Sequence, residues 1–320
     1  MLNVIIPVKN SEDVLETCLK SLSLQTIPVK IIIVDAMSTD KTREIATRYG
    51  CTVLDEPKSS GMGSKRAIAC NHGLKYVNSE IVAFLDSDTE IPPTWAEDME
   101  NVFLNLRKIS HYDVAGISSG CIPDQSSDFS IAINEVMNIA SNHGQSYESL
   151  TSVNSLPGYN SVYLTSKLKE IGGFNEEIGG CEDWEMNCRL RKKGYKLLGI
   201  NESPVIHHER KTIEGFKKQM KGYGWSWGRM LTVKHFFLPS RAIPALIILL
   251  SPFILTIPLF VDTGSIFFFI GFQLALAWVF AFFLHDWEFK NKTFIKLKVA
   301  DILFIYFGIG YIKALLNRKA

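Results

Sequence analysis

The chain has 320 residues, a formal net charge of +1 and a hydrophobic fraction of 47%. This length allows two domains, or one domain with an appendage. The near-neutral charge excludes the strongly basic composition typical of nucleic-acid-binding proteins, so we expect no nucleic-acid partner. The six cysteines show no C-x-x-C spacing, which favours a reducing compartment over a disulfide framework or a zinc site.

The first third of the chain predicts strands that alternate with helices. The predicted strands lie at 2–8, within 30–40, at 51–54 and at 80–86, and the predicted helices lie at 14–22, from about 41, at 65–77 and from about 93. The strands are almost wholly apolar, which is typical of a parallel sheet covered by helices on both faces. The predicted fold class is therefore α/β, with a Rossmann-like, mostly parallel sheet.

Polar groups in such a sheet converge where the strands end. Asp35 and Asp86 follow two of the predicted strands, so we expect both side chains at one crevice beyond the carboxyl ends. The loop after the first strand, PVKNSED, carries no G-x-G-x-x-G, and the chain has no G-x-x-x-x-G-K-[ST]. These absences disfavour a dinucleotide-dependent dehydrogenase and a P-loop NTPase.

The stretch FLDSD (84–88) places two carboxylates one residue apart at the end of an apolar run. Two like charges at this separation repel each other unless water or a cation compensates them. Asp86 and Asp88 are therefore either members of a solvated turn or ligands of a divalent metal.

The C-terminal part is lipid-like. The runs 243–261 and 265–284 carry no charge, and each has about the length of ~20 residues that crosses a bilayer as a helix; buried core helices are the alternative. Lysines and arginines flank the pair, which predicts cytoplasmic ends. The stretch 299–316 contains charges and is predicted to lie in the membrane interface or to form a third span.

These features predict a multi-pass protein of the cell membrane. The N-terminus lacks the long apolar run of a signal peptide, so we expect the N-terminal part in the cytosol. The predicted domains are a catalytic domain over 1–235 on the cytoplasmic side and a membrane domain over 236–320. Membrane lipids are accordingly expected partners.

An ordered set of short motifs extends over about 2–228. The motifs are VIIP (4–7), VDxxSxD (34–40), GMGSKR (61–66) with NHG (71–73), FLDSD (84–88) with PxxW (92–95), GYN (158–160), GGFNE (172–176), GCEDWEMNCRLRKKGY (180–195) and VIHH (205–208). Each motif is weak alone, but the ordered set resembles the family 2 inverting glycosyltransferases of the GT-A fold. The resemblance implies transfer of a sugar from a nucleotide-sugar donor.

The resemblance assigns five residues to the donor. It implies that Pro7 lines the base pocket, that Asp35 contacts the nucleobase, and that Lys65 or Arg66 lies near the nucleotide. It places Asp86 near the ribose or the metal. The alternative for the acidic residues is a role in solvated turns.

The resemblance also implies a divalent cation, Mn²⁺ or Mg²⁺, which neutralises the leaving diphosphate. Asp88 is the implied principal ligand, with Asp86 beside it. His207, rather than His208, is the implied third ligand, because a neutral imidazole can join carboxylates on Mn²⁺. A histidine that merely packs against its surroundings is the alternative.

Glu182 and Asp183 open a predicted helix. Acidic residues are favoured in a first helical turn, so capping is one explanation. Inversion by direct displacement also needs a base for the acceptor hydroxyl, and the resemblance gives that role to Asp183 of the pair. Both residues are therefore candidate catalytic groups.

The expected function is transfer of one sugar, from a UDP-sugar rather than a GDP-sugar, to a hydroxyl of a lipid-linked or membrane-associated glycan. The Q-x-x-R-W motif of processive synthases is missing, since the nearest stretch reads QMKGYGWSW (219–227). A polyprenyl- or dolichyl-phosphate sugar synthase is the nearest alternative. A membrane scaffold that keeps only a nucleotide-binding fold is a further one.

Overall fold

The computed structural model describes residues 1–58, 65–109, 113–141, 150–178, 180–232 and 293–316. Its strands are β1 (Leu2–Val8), β2 (Val29–Asp35), β3 (Thr52–Asp55), β4 (Ile81–Leu85), β5 (Thr89–Glu90), β6 (Val114–Pro123), β7 (Thr151–Ser152), β8 (Asn160–Leu164) and β9 (Lys196–His207). Its helices are α1 (Glu12–Ser23), α2 (Thr42–Arg48), α3 (Lys65–Leu74), α4 (Trp95–Ile109), α5 (Asp128–Ser141), α6 (Thr165–Glu170), α7 (Glu182–Lys192), α8 (Ile213–Thr232) and α9 (Thr293–Leu316).

The first four strands form a parallel half of the sheet, in the order β3-β2-β1-β4. β1 pairs in parallel with β2 and β4, and β2 pairs in parallel with β3. β4 is buried at every position and β1 at all but one, as expected for central strands covered on both faces. The predicted alternation of strands and helices in this part of the chain is confirmed.

The other half of the sheet is mixed, so the prediction of a mostly parallel sheet is wrong there. β8 lies between β4 and β6 and is antiparallel to both, while β6 and β9 are parallel to each other. β5 and β7 pair antiparallel with β9. An apolar run indicates that a strand is buried but carries no information about its direction, so nothing in the sequence indicated that β8 is antiparallel.

Two apolar cores cover the two faces of the sheet. Successive residues of a strand point to opposite faces, so Val4 and Ile6 of β1 join one core while Ile5 joins the other. Helices α1, α2 and α4 cover the first face, and α3, α6 and α7 cover the second. Each core contains a fully buried cysteine from a covering helix, Cys18 in the first and Cys70 in the second.

The structure divides into two compact units, and α5, α8 and α9 belong to the second. These three helices share an apolar core to which α5 contributes Val136, α8 contributes Phe216 and Met220, and α9 contributes Val299 and Leu303. α5 therefore packs with helices that follow it by many residues in the sequence.

Helices α8 and α9 approach each other closely at glycines. A Cβ on Gly224 would overlap the carbonyl group of Phe307, and a Cβ on Gly310 would overlap the carbonyl oxygen of Lys221. Because glycine has no side chain, the two backbones meet directly at these positions. An alanine at either position would force the helices apart.

No helix among the described residues combines the length and the apolarity needed to cross a bilayer. The stretch 299–316 lies within α9. The runs 243–261 and 265–284 lie outside the described residues, so the two spans predicted there stay predictions. The predicted domain boundary near 235 likewise stays a prediction.

Candidate active site

Asp35 lies at the end of β2 with its side chain fully buried. Its carboxylate accepts hydrogen bonds from the backbone N–H of Ser38 and from Arg43, whose Nη1 lies 2.9 Å away. Arg43 also pairs with Asp55 at the end of β3. Pro7 is next to Val34 in the register of β1 and β2, so the two predicted base-pocket residues lie on adjacent strands at the same edge.

Three potential metal ligands converge beside this edge. One ligand atom from each of Asp86, Asp88 and His207 lies within 4.8 Å of the others. Asp86 and Asp88 follow β4, whereas His207 ends β9 and is brought to them by its antiparallel pairing with Thr89 of β5. Two carboxylates and one imidazole are ligands that suit Mn²⁺, so the residues present fit the predicted cation.

The imidazole of His207 is buried between two carboxylates. Its Nε2 lies 3.3 Å from Asp88 Oδ1, and its Nδ1 lies 3.6 Å from Glu209 Oε1. Burial favours the neutral ring, but Asp88 and Glu209 outweigh that effect and raise the pKa of His207 well above its ordinary value. Tyr159 stacks on the ring with centroids 4.4 Å apart.

His208 faces other groups. Its Nε2 lies 3.4 Å from Glu90 and its Nδ1 lies 3.8 Å from Asp124. The structure therefore groups the side chain of His207, and not that of His208, with Asp86 and Asp88. Ligation by His207 is itself still a prediction.

Arg66 connects Asp86 of the aspartate pair to the candidate catalytic residues at the start of α7. Its guanidinium donates to Asp86 Oδ1 at 2.9 Å, to Glu182 Oε1 at 3.2 Å and to the carbonyl oxygen of Gly158 at 2.7 Å. The sequence predicted a nucleotide contact for Arg66 or Lys65, and the side chain of Lys65 is exposed. In this structure Arg66 bridges Asp86 and Glu182, and Glu182 lies 116 positions after Arg66 in the sequence.

Asp183 lies in the first turn of α7, directly after Glu182 and after Cys181, which has a left-handed backbone with φ of 56°. Its Oδ2 accepts a hydrogen bond from the N–H of Gly158 at 3.0 Å, and its Oδ1 accepts one from Trp184 at 2.7 Å. The bond from Trp184 comes from the next residue of the helix and is no N-cap bond, since the N-cap residue is Cys181, and the bond from Gly158 comes from a different loop. Capping alone therefore does not describe this carboxylate.

The surroundings of Asp183 favour its protonated form. Burial is the main cause, and the neighbouring charge of Glu182 adds to it, so the pKa of Asp183 rises to about 6 despite the opposing charge of Arg66. A carboxylate with such a pKa is still mainly ionised at neutral pH and accepts a proton more readily than an ordinary aspartate.

Some residues of this region carried no role in the sequence-based assignment. Gly158 and Tyr159 come directly before β8, and the start of β8 pairs with the end of β4 because the strands are antiparallel. The motif GYN (158–160) was therefore the available signal for this loop. Arg43 and Glu209 had no such signal, since each lies outside the motifs of the sequence.

The chain is similar in sequence to known glycosyltransferases. The family model described as Glycosyl transferase family 2 matches residues 3–172, which is more than half of the chain. The succinoglycan biosynthesis protein ExoA of Rhizobium meliloti is 25% identical over 255 residues, or 76% of this chain and 72% of that protein. The pre-mycofactocin glycosyltransferase of Mycobacterium tuberculosis is 25% identical over 250 residues, or 76% of this chain and 49% of that protein.

A shorter match has higher identity. The 4,4'-diaponeurosporenoate glycosyltransferase of Staphylococcus haemolyticus is 38% identical over 94 residues, which are 28% of this chain and 24% of that protein. The chain thus spans half or less of two of these three relatives.

Solved structures share the fold. The mannosyltransferase PcManGT from Pyrobaculum calidifontis, solved with GDP-Man and Mn²⁺, has a TM-score of 0.64 at 16% identity, covering 100% of this chain and 88% of its own. Residues 1–349 of Staphylococcus aureus TarS, solved with UDP, have a TM-score of 0.50 at 17% identity, covering 94% of this chain and 90% of their own. The described fold is thus a mixed α/β, GT-A-like fold. From the family match, the chain belongs to glycosyl transferase family 2 and is a nucleotide-sugar-dependent glycosyltransferase.

Proposed function

We propose that this glycosyltransferase is membrane-anchored and metal-dependent and inverts the anomeric carbon of the sugar that it transfers. It moves one sugar from a UDP-sugar to a hydroxyl of a lipid-linked or membrane-associated glycan at the cytoplasmic face of the cell membrane. The observation that carries the proposal is that Arg66 links the potential metal site to the candidate catalytic pair. Arg66 contacts both Asp86 and Glu182, and Gly158 bonds both Arg66 and Asp183.

Asp88, Asp86 and His207 are the residues that would hold the cation. When bound, Mn²⁺ or Mg²⁺ supplies positive charge that stabilises the departing diphosphate. The two carboxylates repel each other without a compensating positive charge, and in this structure Arg66 supplies part of it to Asp86.

Asp183 is the proposed general base. As the acceptor oxygen forms its bond to the anomeric carbon, the bond from that carbon to the diphosphate oxygen breaks, and the hydroxyl proton passes to Asp183. The bonds from Gly158 and Trp184 fix the orientation of the carboxylate before the substrate arrives. Its pKa of about 6 matches the task of accepting a proton near neutral pH.

The nucleotide part of the donor is proposed to bind at the ends of β1 and β2, where Pro7 and Asp35 lie. Both UDP and GDP-Man occur in complexes of proteins with this fold, and we favour UDP on the resemblance described above. The names of the three relatives refer to three different products or substrates, so they select no acceptor.

The membrane anchor is proposed from the two uncharged runs, 243–261 and 265–284. The glycine contacts between α8 and α9 are compatible with it, because membrane helices often approach through small residues. An anchor would hold the catalytic unit near amphiphilic acceptors and raise their effective concentration.

A ligand screen tests the donor and the metal together. The purified full-length protein in detergent is heated with UDP-, GDP- and TDP-sugars, each with and without Mn²⁺. A ligand that binds only the folded state raises the melting temperature, so we expect the largest rise with a UDP-sugar and Mn²⁺. A rise with GDP-sugars alone would overturn the UDP assignment, and equal rises without metal would overturn the metal dependence.

The Asp183→Asn variant tests the acceptor class. A prenyl phosphate is already anionic and needs no base, whereas a hydroxyl acceptor does. We expect the variant to lose about 10²–10⁴-fold in kcat, the usual contribution of a general base, while its donor affinity is unchanged. Glu177→Gln, an exposed change in the preceding loop, is the matched control. Near-normal turnover of the Asp183→Asn variant onto a prenyl phosphate would instead identify a polyprenyl-phosphate sugar synthase.

A further inference from the structure

Two buried carboxylates lie beside the potential metal site without belonging to it. Glu209 is 7% exposed and lies near His207, and Asp124 is 4% exposed and lies near His208, at the end of β9. The carboxylate oxygens of Glu209 and Asp124 are not among the atoms that converge with Asp86 and Asp88. Burying a carboxylate is costly unless a partner compensates it, so a structural or functional reason is required.

Glu209 and Asp88 lie beside opposite nitrogens of the His207 imidazole. Asp88 Oδ1 lies 3.3 Å from Nε2 of His207, and Glu209 Oε1 lies 3.6 Å from Nδ1. A neutral imidazole carries one proton, and the nitrogen without it offers a lone pair. At 3.6 Å the contact with Glu209 is electrostatic rather than a hydrogen bond, and the negative charge of Glu209 favours the proton on Nδ1. The lone pair then lies on Nε2, the nitrogen facing the aspartate pair.

We propose that Glu209 is a positioning residue that holds His207 in the tautomer and ring orientation required of a metal ligand. The proposal rests on the metal site put forward above. Histidines that bind metals generally donate their other ring N–H to a carboxylate, a carbonyl or water, and such partners influence metal affinity strongly. Glu209 has the required charge, position and burial for this role.

The surroundings of Glu209 restrict its movement. Its backbone N–H donates to Asp124 Oδ2 at 3.2 Å, which fixes the chain two residues after His207. On the ring itself, the stacked Tyr159 limits rotation out of the plane between the two carboxylates. The imidazole is therefore constrained by a carboxylate at each nitrogen and by an aromatic face.

The neighbouring histidine provides a matched control. His208 Nε2 lies 3.4 Å from Glu90, so each histidine of the pair has a glutamate at one ring nitrogen. Only His207 is grouped with the aspartate pair. Removing the glutamate from His207 and removing it from His208 are thus similar chemical changes with different expected effects on metal binding.

The test measures Mn²⁺ binding directly in the purified full-length protein. Free Mn²⁺ is followed by electron paramagnetic resonance in the presence of UDP, and pulsed spectra report nitrogen coordination. The variants are Glu209→Gln, which keeps a hydrogen-bond acceptor, Glu209→Leu, which removes it, and the control Glu90→Gln. Melting temperatures without metal show whether each variant is folded.

We expect Glu209→Leu to raise the dissociation constant for Mn²⁺ by about 10–100-fold, and Glu209→Gln to raise it less. The Mn²⁺ that Glu209→Gln still binds should keep its nitrogen signal, and Glu90→Gln should bind like the wild type. Unchanged affinity in a folded Glu209→Leu variant would overturn the proposal. Complete loss of binding in a folded Glu209→Gln variant would also overturn it, because that result would make Glu209 a ligand.

The outcome for the wild type separates this proposal from the proposed function. If the wild-type protein binds no Mn²⁺, the metal dependence fails first and the role of Glu209 fails with it. If the wild type binds Mn²⁺ with nitrogen coordination and the glutamate variants bind it equally well, only the role of Glu209 fails. Relative kcat at saturating Mn²⁺ adds a second readout, since a positioning role predicts recovery of activity in Glu209→Gln.

Discussion

The parallel and the mixed halves of the sheet contribute to the candidate site in different ways. In the parallel half, residues that follow strand ends meet at one edge, as Asp35 and Asp86 do. In the mixed half, β8 is antiparallel, so it contributes the loop before its start, with Gly158 and Tyr159, to that same edge. β9 contributes its end, with His207. Strand direction therefore decides which end of a strand supplies functional residues.

The largest expected effect comes from breaking the metal site on either side of this division. Asp88→Asn removes a carboxylate ligand that follows the parallel half, and we expect activity to fall by about 10²-fold or more. His207→Ala removes the ligand from the mixed half, and we expect a smaller loss that higher Mn²⁺ partly restores. Initial rates measured across a Mn²⁺ series check both expectations.

His208→Ala is the control for that series, because His208 lies outside the group of potential ligands. If His208→Ala lost as much activity as His207→Ala and needed as much added Mn²⁺ to recover it, the assignment of the ligand to His207 would be wrong. That result would mean that the ligand is His208, the residue after β9.

The next effect concerns stability in the parallel half. Arg43→Leu leaves Asp35 fully buried without its charged donor, and we expect a loss of about 1–3 kcal/mol in the free energy of unfolding. Arg48→Leu, on the same helix α2, breaks only exposed pairs with Glu16 and Glu44 and should cost less than about 1 kcal/mol. Urea unfolding measures both, and equal losses would show that Asp35 does not depend on Arg43.

A smaller effect concerns the pH dependence of kcat/KM, which the proposed base Asp183 controls. The base must be ionised, so kcat/KM should fall as the pH drops through the raised pKa of Asp183, which is about 6. The positive charge of Arg66 lowers that pKa, whereas Glu182 and Asp86 raise it. Arg66→Gln should therefore move the acidic limb to higher pH.

The pH profile of kcat/KM for wild type and Arg66→Gln measures this shift. The comparison uses donor concentrations well below KM for each protein, because Arg66 also contacts Asp86. A shift to lower pH in the variant would show that another group controls the limb.

The smallest effect concerns the loop before β8. A Cβ on Gly158 would lie 3.0 Å from a terminal nitrogen of Arg66, so Gly158→Ala should displace the guanidinium slightly. We expect a decrease of only a few-fold in kcat, since the side chain of Arg66 can adjust. Gly222→Ala, where a Cβ meets nothing within 4 Å, should leave kcat unchanged. A larger loss in Gly222→Ala than in Gly158→Ala would contradict this assignment.

The parallel half was predictable from the sequence because local patterns determine it. Apolar runs indicated β1 and β4, helical spacing indicated α1, and a polar pair after an apolar strand indicated Asp86 and Asp88. The direction of β8 was not predictable, since burial alone does not distinguish parallel from antiparallel neighbours. The partners of Arg66 were not predictable either, because Glu182 joins it only through the long-range fold.

Residues outside motifs were the hardest to predict. Glu209 reaches His207 Nδ1 only because the chain after β9 turns so that its N–H meets Asp124. In the sequence, a glutamate two residues after a histidine is an ordinary surface pattern. Side-chain partnerships that depend on the path of a loop need the three-dimensional structure.

The buried cysteines of the two cores have a practical consequence for measuring local opening. All six cysteines are free thiols, and burial raises the pKa of Cys70 to about 12 and that of Cys18 still further. A thiol reagent therefore reacts with Cys18 or Cys70 only when the helix that carries it separates from the sheet. Labelling rates at the two positions would report the opening of each face separately, with no engineered probe.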